Sequence, residues 1–250
     1  RLGIGGLHSQ ESSVSYWTDE THIIVDVDVA SYYPSLILNM GMYPEQLGAA
    51  FLSIYSEVRD TRLQAKAEGR KTEADGLKIV LNGTFGKLFS KYSCLYAPEF
   101  GIRTTLSGQL SLLMLIELME SSGIRVISAN TDGIVLLVPR EREWLVKANV
   151  QWWEAQTNLV MEESLYRSIH QRDVNNYIAI TMSGKAKRKG VFAKAGLNEN
   201  KHPDKTICAE AVVRYLLDGV RVEETIRECR DIREFIVVRN VSGGGCTYPE

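Results

Sequence analysis

The stretch Ile23-Ile24-Val25-Asp26-Val27-Asp28-Val29-Ala30-Ser31-Tyr32-Tyr33-Pro34-Ser35 limits the folds open to this chain more than any other. Its β-branched residues favour a strand, and from Val25 apolar residues alternate with acids at period two. Pro34 has no amide hydrogen and disfavours a helical Tyr33, so the strand is expected to end in a sharp turn, with no helix before residue 34. A short helix then follows through Leu36-Ile37-Leu38, with Pro34 near its first position and Gly41 closing it. Strand alternation would send Tyr32 and Tyr33 to opposite faces. An aspartate at the end of a strand, followed by a turn of unbonded amides, can hold a metal and cradle phosphates beside it. The plainer reading of one such aspartate is an edge acid facing water, so the rest of the chain has to decide.

With 250 residues the chain has room for one large domain or two small ones. Hydrophobic residues at 44% and charged ones at 24% are those of ordinary globular material. No apolar run reaches the roughly 18 residues of a membrane-spanning helix, so no membrane role is expected. The sequence starts at Arg1 and shows no signal-peptide pattern, which reads as a piece of a longer protein. Cys94, Cys208, Cys229 and Cys246 lack metal-site spacing and read as reduced thiols of an intracellular protein. A net charge of −2 does not advertise a nucleic-acid partner, though bases gathered on one face would escape that sum.

Residues 1–20 read as a loop or short strands. Ala49 to Gly69 has helical periodicity, with Arg59, Arg62 and Lys66 on one face. Thr72 reads as the N-cap of a second helix from about Glu73 to Phe89, antiparallel to the first. On it Lys78 and Asn82 are i, i+4 neighbours, and Gly86 extends the stripe. A cation, an amide and a bare backbone on one face suit a ligand with a charged end and a flat end. Two glycines there cost about 1 kcal/mol each against alanine, which suggests a close approach to the backbone. Thr104 to Ser122 is apolar almost all round, ends at Gly123 and reads as a core helix beneath a sheet. A hairpin follows, Ile124–Ser128 and Ile134–Val138, turning through Ala129 to Gly133. Next come a helix over Glu141–Asn158 and strands near Leu159–Arg167, Asn175–Met182 and Lys187–Phe192. Lys185, Lys187, Arg188, Lys189 and Lys194 form the densest basic patch, either a solvated tip or a phosphate-backbone contact. Residues 205–235 read as helical, and Val241 to Gly245 as an uncapped end.

Three of these segments together resemble family B DNA polymerases. Asp28-Val29-Ala30-Ser31-Tyr32-Tyr33-Pro34-Ser35 resembles the motif D-x-x-S-L-Y-P-S. Lys78-x-x-x-Asn82-x-x-Phe85-Gly86 resembles K-x-x-x-N-S-x-Y-G, and Asn130-Thr131-Asp132-Gly133 stands where D-T-D-S is expected. Tyr177 followed by Lys189-Gly190 resembles the later segment that holds the duplex. The likeness runs over roughly residues 20–195, in the family's order. Asn130 and Gly133 depart from the third motif, and Gly83 and Phe85 from the second. No residues match the family's proofreading exonuclease, and Gly5 to Ser9 has a phage-polymerase look, which would put the protein in a bacterial host's cytoplasm.

The resemblance implies an α+β fold: a polymerase palm with an antiparallel sheet backed by helices, plus a two-helix fingers insertion. Its parts would be palm over 1–48 and 93–204, fingers over 49–92, and the start of a truncated thumb over 205–250. It implies template-directed DNA synthesis on primer-template DNA from deoxynucleoside triphosphates. Two Mg2+ ions, or Mn2+ in their place, would be held by Asp28, Asp132 and the Val29 carbonyl. Ser31, Tyr32, Tyr33, Arg62, Lys66, Lys78 and Asn82 would bind the nucleotide, with Tyr33 excluding a 2′-hydroxyl. Gly86, Thr131, Tyr177, Lys187 and Lys189 would meet DNA. The alternatives are a polymerase-like module that binds primer-template without catalysis, and a two-metal nuclease.

Overall fold

A computed structural model describes residues 5–193 and 205–237. Lys194, Cys246 and the Val241–Gly245 end lie outside the described residues. The chain separates into two units, residues 1–10 with 19–165 and residues 11–18 with 166–250.

The first unit is built on an antiparallel sheet. Strand β2 (His22–Val29) pairs with β4 (Gly133–Pro139) in unbroken register from His22↔Pro139 to Asp28↔Gly133. On the other side of β4 lies β3 (Arg125–Asn130), with a register shift between Val126 and Ser128. The β-branched run of β2 is buried on both faces, Asp26 included, so the alternation of apolar and acidic residues does not mark a half-exposed strand. A turn sets its start, where Asp19 accepts hydrogen bonds from the Thr21 hydroxyl and from the Thr21 and His22 amides. Those bonds, the Thr21 hydroxyl first, hold the Asp19 carboxyl down at about 2.

Helix α4 (Pro98–Ser121) backs this sheet and begins six residues earlier than the periodicity suggests, with Pro98 in its first turn. Its Leu112, Leu115 and Met119 pack with Val25 and Val27 of β2 and Ile134 and Leu136 of β4. Gly123, with φ of 70°, ends it as expected. Helix α5 (Glu143–Thr157) closes the layer with Trp153, whose indole donates to the Ser111 carbonyl at 2.7 Å.

Helix α1 (Tyr32–Asn39) corrects the expectation at Pro34. The helix starts at Tyr32, so Tyr33 is helical and Pro34 stands third. An amide there would lack an intrahelical acceptor in any case, so the proline forfeits nothing. Ser31, left-handed at φ 52° and ψ 50°, makes the sharp turn instead. Helices α2 (Ala50–Ala67) and α3 (Lys71–Lys87) form the expected hairpin, but α3 starts two residues before the expected Glu73 and takes in Thr72. Ile37 of α1, Phe51 and Tyr55 of α2, Leu81 of α3 and Phe100 of α4 make one cluster that roots the hairpin.

In the second unit β1 (Val14–Trp17) pairs with β5 (Met161–Asp173), whose first residues belong to the first unit. Beyond it follow β6 (Asn176–Thr181) and β7 (Ala186–Arg188). The last strand is shorter than expected, because Gly190 at φ 60° turns the chain into a 3-10 turn. Helices α6 (Thr206–Asp218) and α7 (Val222–Glu228) complete the unit, with Val213 of α6 packed on Ile178 and Ile180. Among the described residues no helix is long and apolar enough to cross a membrane.

Two leucines of α4 test this packing. Leu115 is fully buried, whereas Leu110 is 57% exposed. Leu115→Ala is expected to cost about 2–5 kcal/mol and Leu110→Ala about 0.5 kcal/mol or less. Urea denaturation followed by circular dichroism measures both; similar losses would contradict the placement of α4.

Candidate active site

Cross-strand pairing brings Asp28 and Asp132 together. Asp28 is the register partner of Gly133, and the amide of Val29 donates to the carbonyl of Asp132 at 2.7 Å. The β3–β4 turn is tighter than the five residues expected: both strands extend inward and leave Thr131-Asp132 between them. Thr131 is left-handed at φ 55°. Gly133 answers to a close approach, since a Cβ there would lie 1.9 Å from Asp28 Oδ1 and 2.9 Å from the Val27 carbonyl. The absence of a side chain at 133 is what lets the Asp28 carboxylate lie over β4.

Both aspartates line an open cleft of about 680 Å³. Its walls include Val29, Ser31, Tyr32 and Tyr33 from the β2–α1 junction, Arg62 and Lys66 from α2, and Lys78 and Asn82 from α3. Every residue expected to bind metal or nucleotide therefore falls in one concavity. Thr131 lines it too, and Gly86 is exposed on α3 outside its lining. Nothing lies within 4 Å of a Cβ placed at Gly83 or Gly86, so no described residue makes the close approach those glycines suggested.

The two tyrosines differ for a reason other than strand alternation. Tyr32 is buried and donates its hydroxyl to the Gly108 carbonyl of α4, with Ser111 Oγ at 2.9 Å. Burial pushes its pKa up, against the lowering effect of the Ser111 hydrogen bond. Tyr33 is half-buried and stacks on Phe85 of α3, with ring centroids 4.4 Å apart. Burial first, then the negative charge of Asp132, pushes the Tyr33 pKa up. Its hydroxyl therefore stays protonated at neutral pH and can donate.

The cations of α2 reach the strand side of the cleft. Arg62 donates through Nη1 to the Ser31 hydroxyl, and its buried Nε has no hydrogen-bond partner among the described residues. Lys66 pairs with Glu162 of β5. Sequence reasoning missed Glu162, Lys71 and Asp75, which also line the cleft. The last two were legible, because 71, 75, 78 and 82 form one stripe at helical spacing. Glu162 carried no comparable signal.

Tyr177, Lys187 and Lys189 stand in the second unit. The Lys189 amide donates to the Tyr177 carbonyl at 3.0 Å, and Lys187 Nζ lies 2.9 Å from the Tyr166 hydroxyl. Arg188 leaves the expected basic patch: its side chain is only 10% exposed and pairs with Glu210 at 2.8 Å.

Asp28, Asp132 and the Val29 carbonyl carry hard oxygen donors. Among the described residues no cluster of three or more His, Cys, Asp or Glu side chains could hold a metal. Two carboxylates nevertheless suit Mg2+, which keeps several waters and takes substrate oxygens for the rest.

No family model matches this sequence. Over 120 residues, 47% of this chain, it is 24% identical to DNA polymerase 1 of Saccharolobus solfataricus, of which it spans 13%. Its structure is similar to that of the family B DNA polymerase from Pyrobaculum calidifontis, with a TM-score of 0.60 and 15% identity. That similarity covers 89% of this chain and 32% of the archaeal one. In fold, then, the chain is similar to this family B DNA polymerase.

Proposed function

We propose that this chain carries the palm and fingers of a template-directed DNA polymerase, which joins deoxynucleotides to a primer 3′-hydroxyl. Residues 1–48 and 93–204 would form the palm, 49–92 the fingers, and 205–250 the start of the thumb. The observation that carries the reading is the meeting of Asp28 and Asp132 in one cleft with Arg62, Lys66 and Lys78.

Two bound Mg2+ ions, or Mn2+, would supply activation of the attacking hydroxyl and charge neutralisation at the leaving pyrophosphate. Asp28, Asp132 and the Val29 carbonyl would hold them. Arg62 and Lys78 lie where they can take phosphate oxygens. At the start of α1 the amides of Tyr32 and Tyr33 lack intrahelical acceptors and add donors beside Ser31. Asn82 and the stacked Tyr33–Phe85 pair offer a flat wall for the new base pair and its sugar. Gly86, Thr131, Tyr177, Lys187 and Lys189 remain the proposed DNA contacts. A nuclease would also use paired carboxylates, but the cationic faces of α2 and α3 favour a triphosphate. A binding module without catalysis would have no use for two aspartates clasped at one strand end.

Asp28→Asn and Asp132→Asn each remove a charge while keeping shape. Primer extension by the protein in its full natural length is expected to fall at least about a thousandfold, with the circular dichroism spectrum unchanged. Extension within tenfold of the parent by either variant would refute the role of that aspartate.

Lys78→Ala tests the triphosphate face. Losing a hydrogen bond to a charged group, worth about 1.5–3 kcal/mol, should raise the nucleotide KM or lower kcat/KM roughly 10- to 150-fold. Primer-template affinity, measured by fluorescence anisotropy, should change less than twofold. The opposite pattern would move Lys78 to the duplex.

Tyr33→Ala tests sugar selection. Overpacking a rigid site costs about 1–3 kcal/mol, so relaxing it should raise ribonucleotide over deoxyribonucleotide insertion by roughly 5- to 150-fold. Tyr32→Phe, which removes only the hydroxyl bonded to α4, should leave the ratio unchanged. Equal loss with both sugars at Tyr33 would make it a packing residue alone.

A further inference from the structure

Arg62 and Lys66 stand one turn apart on α2 and line the same cleft, but their partners differ in charge. Arg62 is met by the Ser31 hydroxyl, which is neutral. A guanidinium has five donors, so Arg62 can keep Ser31 and still take a phosphate oxygen. Lys66 is met by the Glu162 carboxylate, a full negative charge inside the cleft. An arriving phosphate must either displace that carboxylate or lie beside it.

We propose that Glu162 is a resident counter-anion for Lys66: it occupies the ammonium before a nucleotide arrives and competes with the triphosphate for it. This makes Glu162 a determinant of nucleotide affinity, and it rests on the reading of the cleft as a triphosphate site. The two side chains are 50% and 51% exposed, so their pairing is of the weak, solvent-screened kind. That net strength already includes the cost of ordering two long side chains, so holding Lys66 in place gives no hidden gain that its removal would forfeit. A nucleotide that takes Lys66 must break the pair. Glu162 therefore weakens binding by holding the ammonium, and a polyanion of several charges can still outcompete it.

The test is direct titration of the full chain, in low salt with Mg2+, by a fluorescent deoxyadenosine triphosphate analogue. Parent, Glu162→Gln, Lys66→Ala and the double variant are compared. Glu162→Gln is expected to bind roughly 1.5- to 5-fold tighter than the parent, the range of an exposed ion pair. The gain should shrink at high salt and vanish in the Lys66→Ala background. A parent that binds while Glu162→Gln binds equally or more weakly overturns the proposal and leaves the triphosphate reading standing. A gain that persists without Lys66 also overturns it, since Glu162 would then repel the nucleotide directly. A parent with no saturable binding removes the triphosphate reading and this proposal together.

Discussion

The pairing of β2 with β4 fixes the geometry on which the candidate site depends. Seven consecutive register pairs, ending at Asp28↔Gly133, put the last acid of one strand beside the turn that carries the other. The Val29 amide then closes on the Asp132 carbonyl at 2.7 Å, so the main chain ties the backbones of the two aspartates together. Such a clasp tolerates little drift, because a one-residue slip would turn every side chain of β2 to the opposite face. The bare Gly133 is part of the same constraint: Asp28 occupies the volume a side chain would need.

Around that clasp the charges come from separate elements. Asp28 sits on β2 and Asp132 in the β3–β4 turn, Arg62 and Lys66 on α2, Lys71 and Lys78 on α3. The helices are held to the sheet side by apolar packing through Ile37, Phe51, Leu81 and Phe100, which is indifferent to charge. Across this arrangement Lys66 pairs with Glu162. In the proposed function the two aspartates would repel a triphosphate on their own, and divalent cations held by them would supply charge that offsets this repulsion.

Much of this was legible in the sequence because it rests on local chemistry. The β-branched run around Asp28, the two helical stripes and the glycine after α4 each specify an element through period or backbone preference. The errors have a common source, since each applied a local rule where context had removed its premise. Pro34 blocks an interior helix position, but the third position needs no amide hydrogen. Arg188 looked like its basic neighbours until Glu210, distant in sequence, turned it inward. Glu162 could not have been found at all, since only the fold brings it to Lys66.

The strongest case of such non-local control is the segment from Gly5 to Ser9. The Leu7 carbonyl accepts from the Thr131 amide at 2.8 Å, and Ser9 holds Ala129 from both sides: its amide donates to the Ala129 carbonyl while its hydroxyl accepts from the Ala129 amide. His8 bridges to Asn130 and reaches the Thr131 hydroxyl at 3.1 Å. At Gly6 a Cβ would lie 2.8 Å from Thr131 Cα, so the strap lies flat against the turn only because glycine stands there. A left-handed Thr131 is costly by itself, by about 1 kcal/mol or more, and persists where surrounding bonds over-determine it. The strap supplies such bonds from more than a hundred residues away, beside those of the hairpin itself, where the Thr131 hydroxyl donates to Asn130 Oδ1 at 3.2 Å.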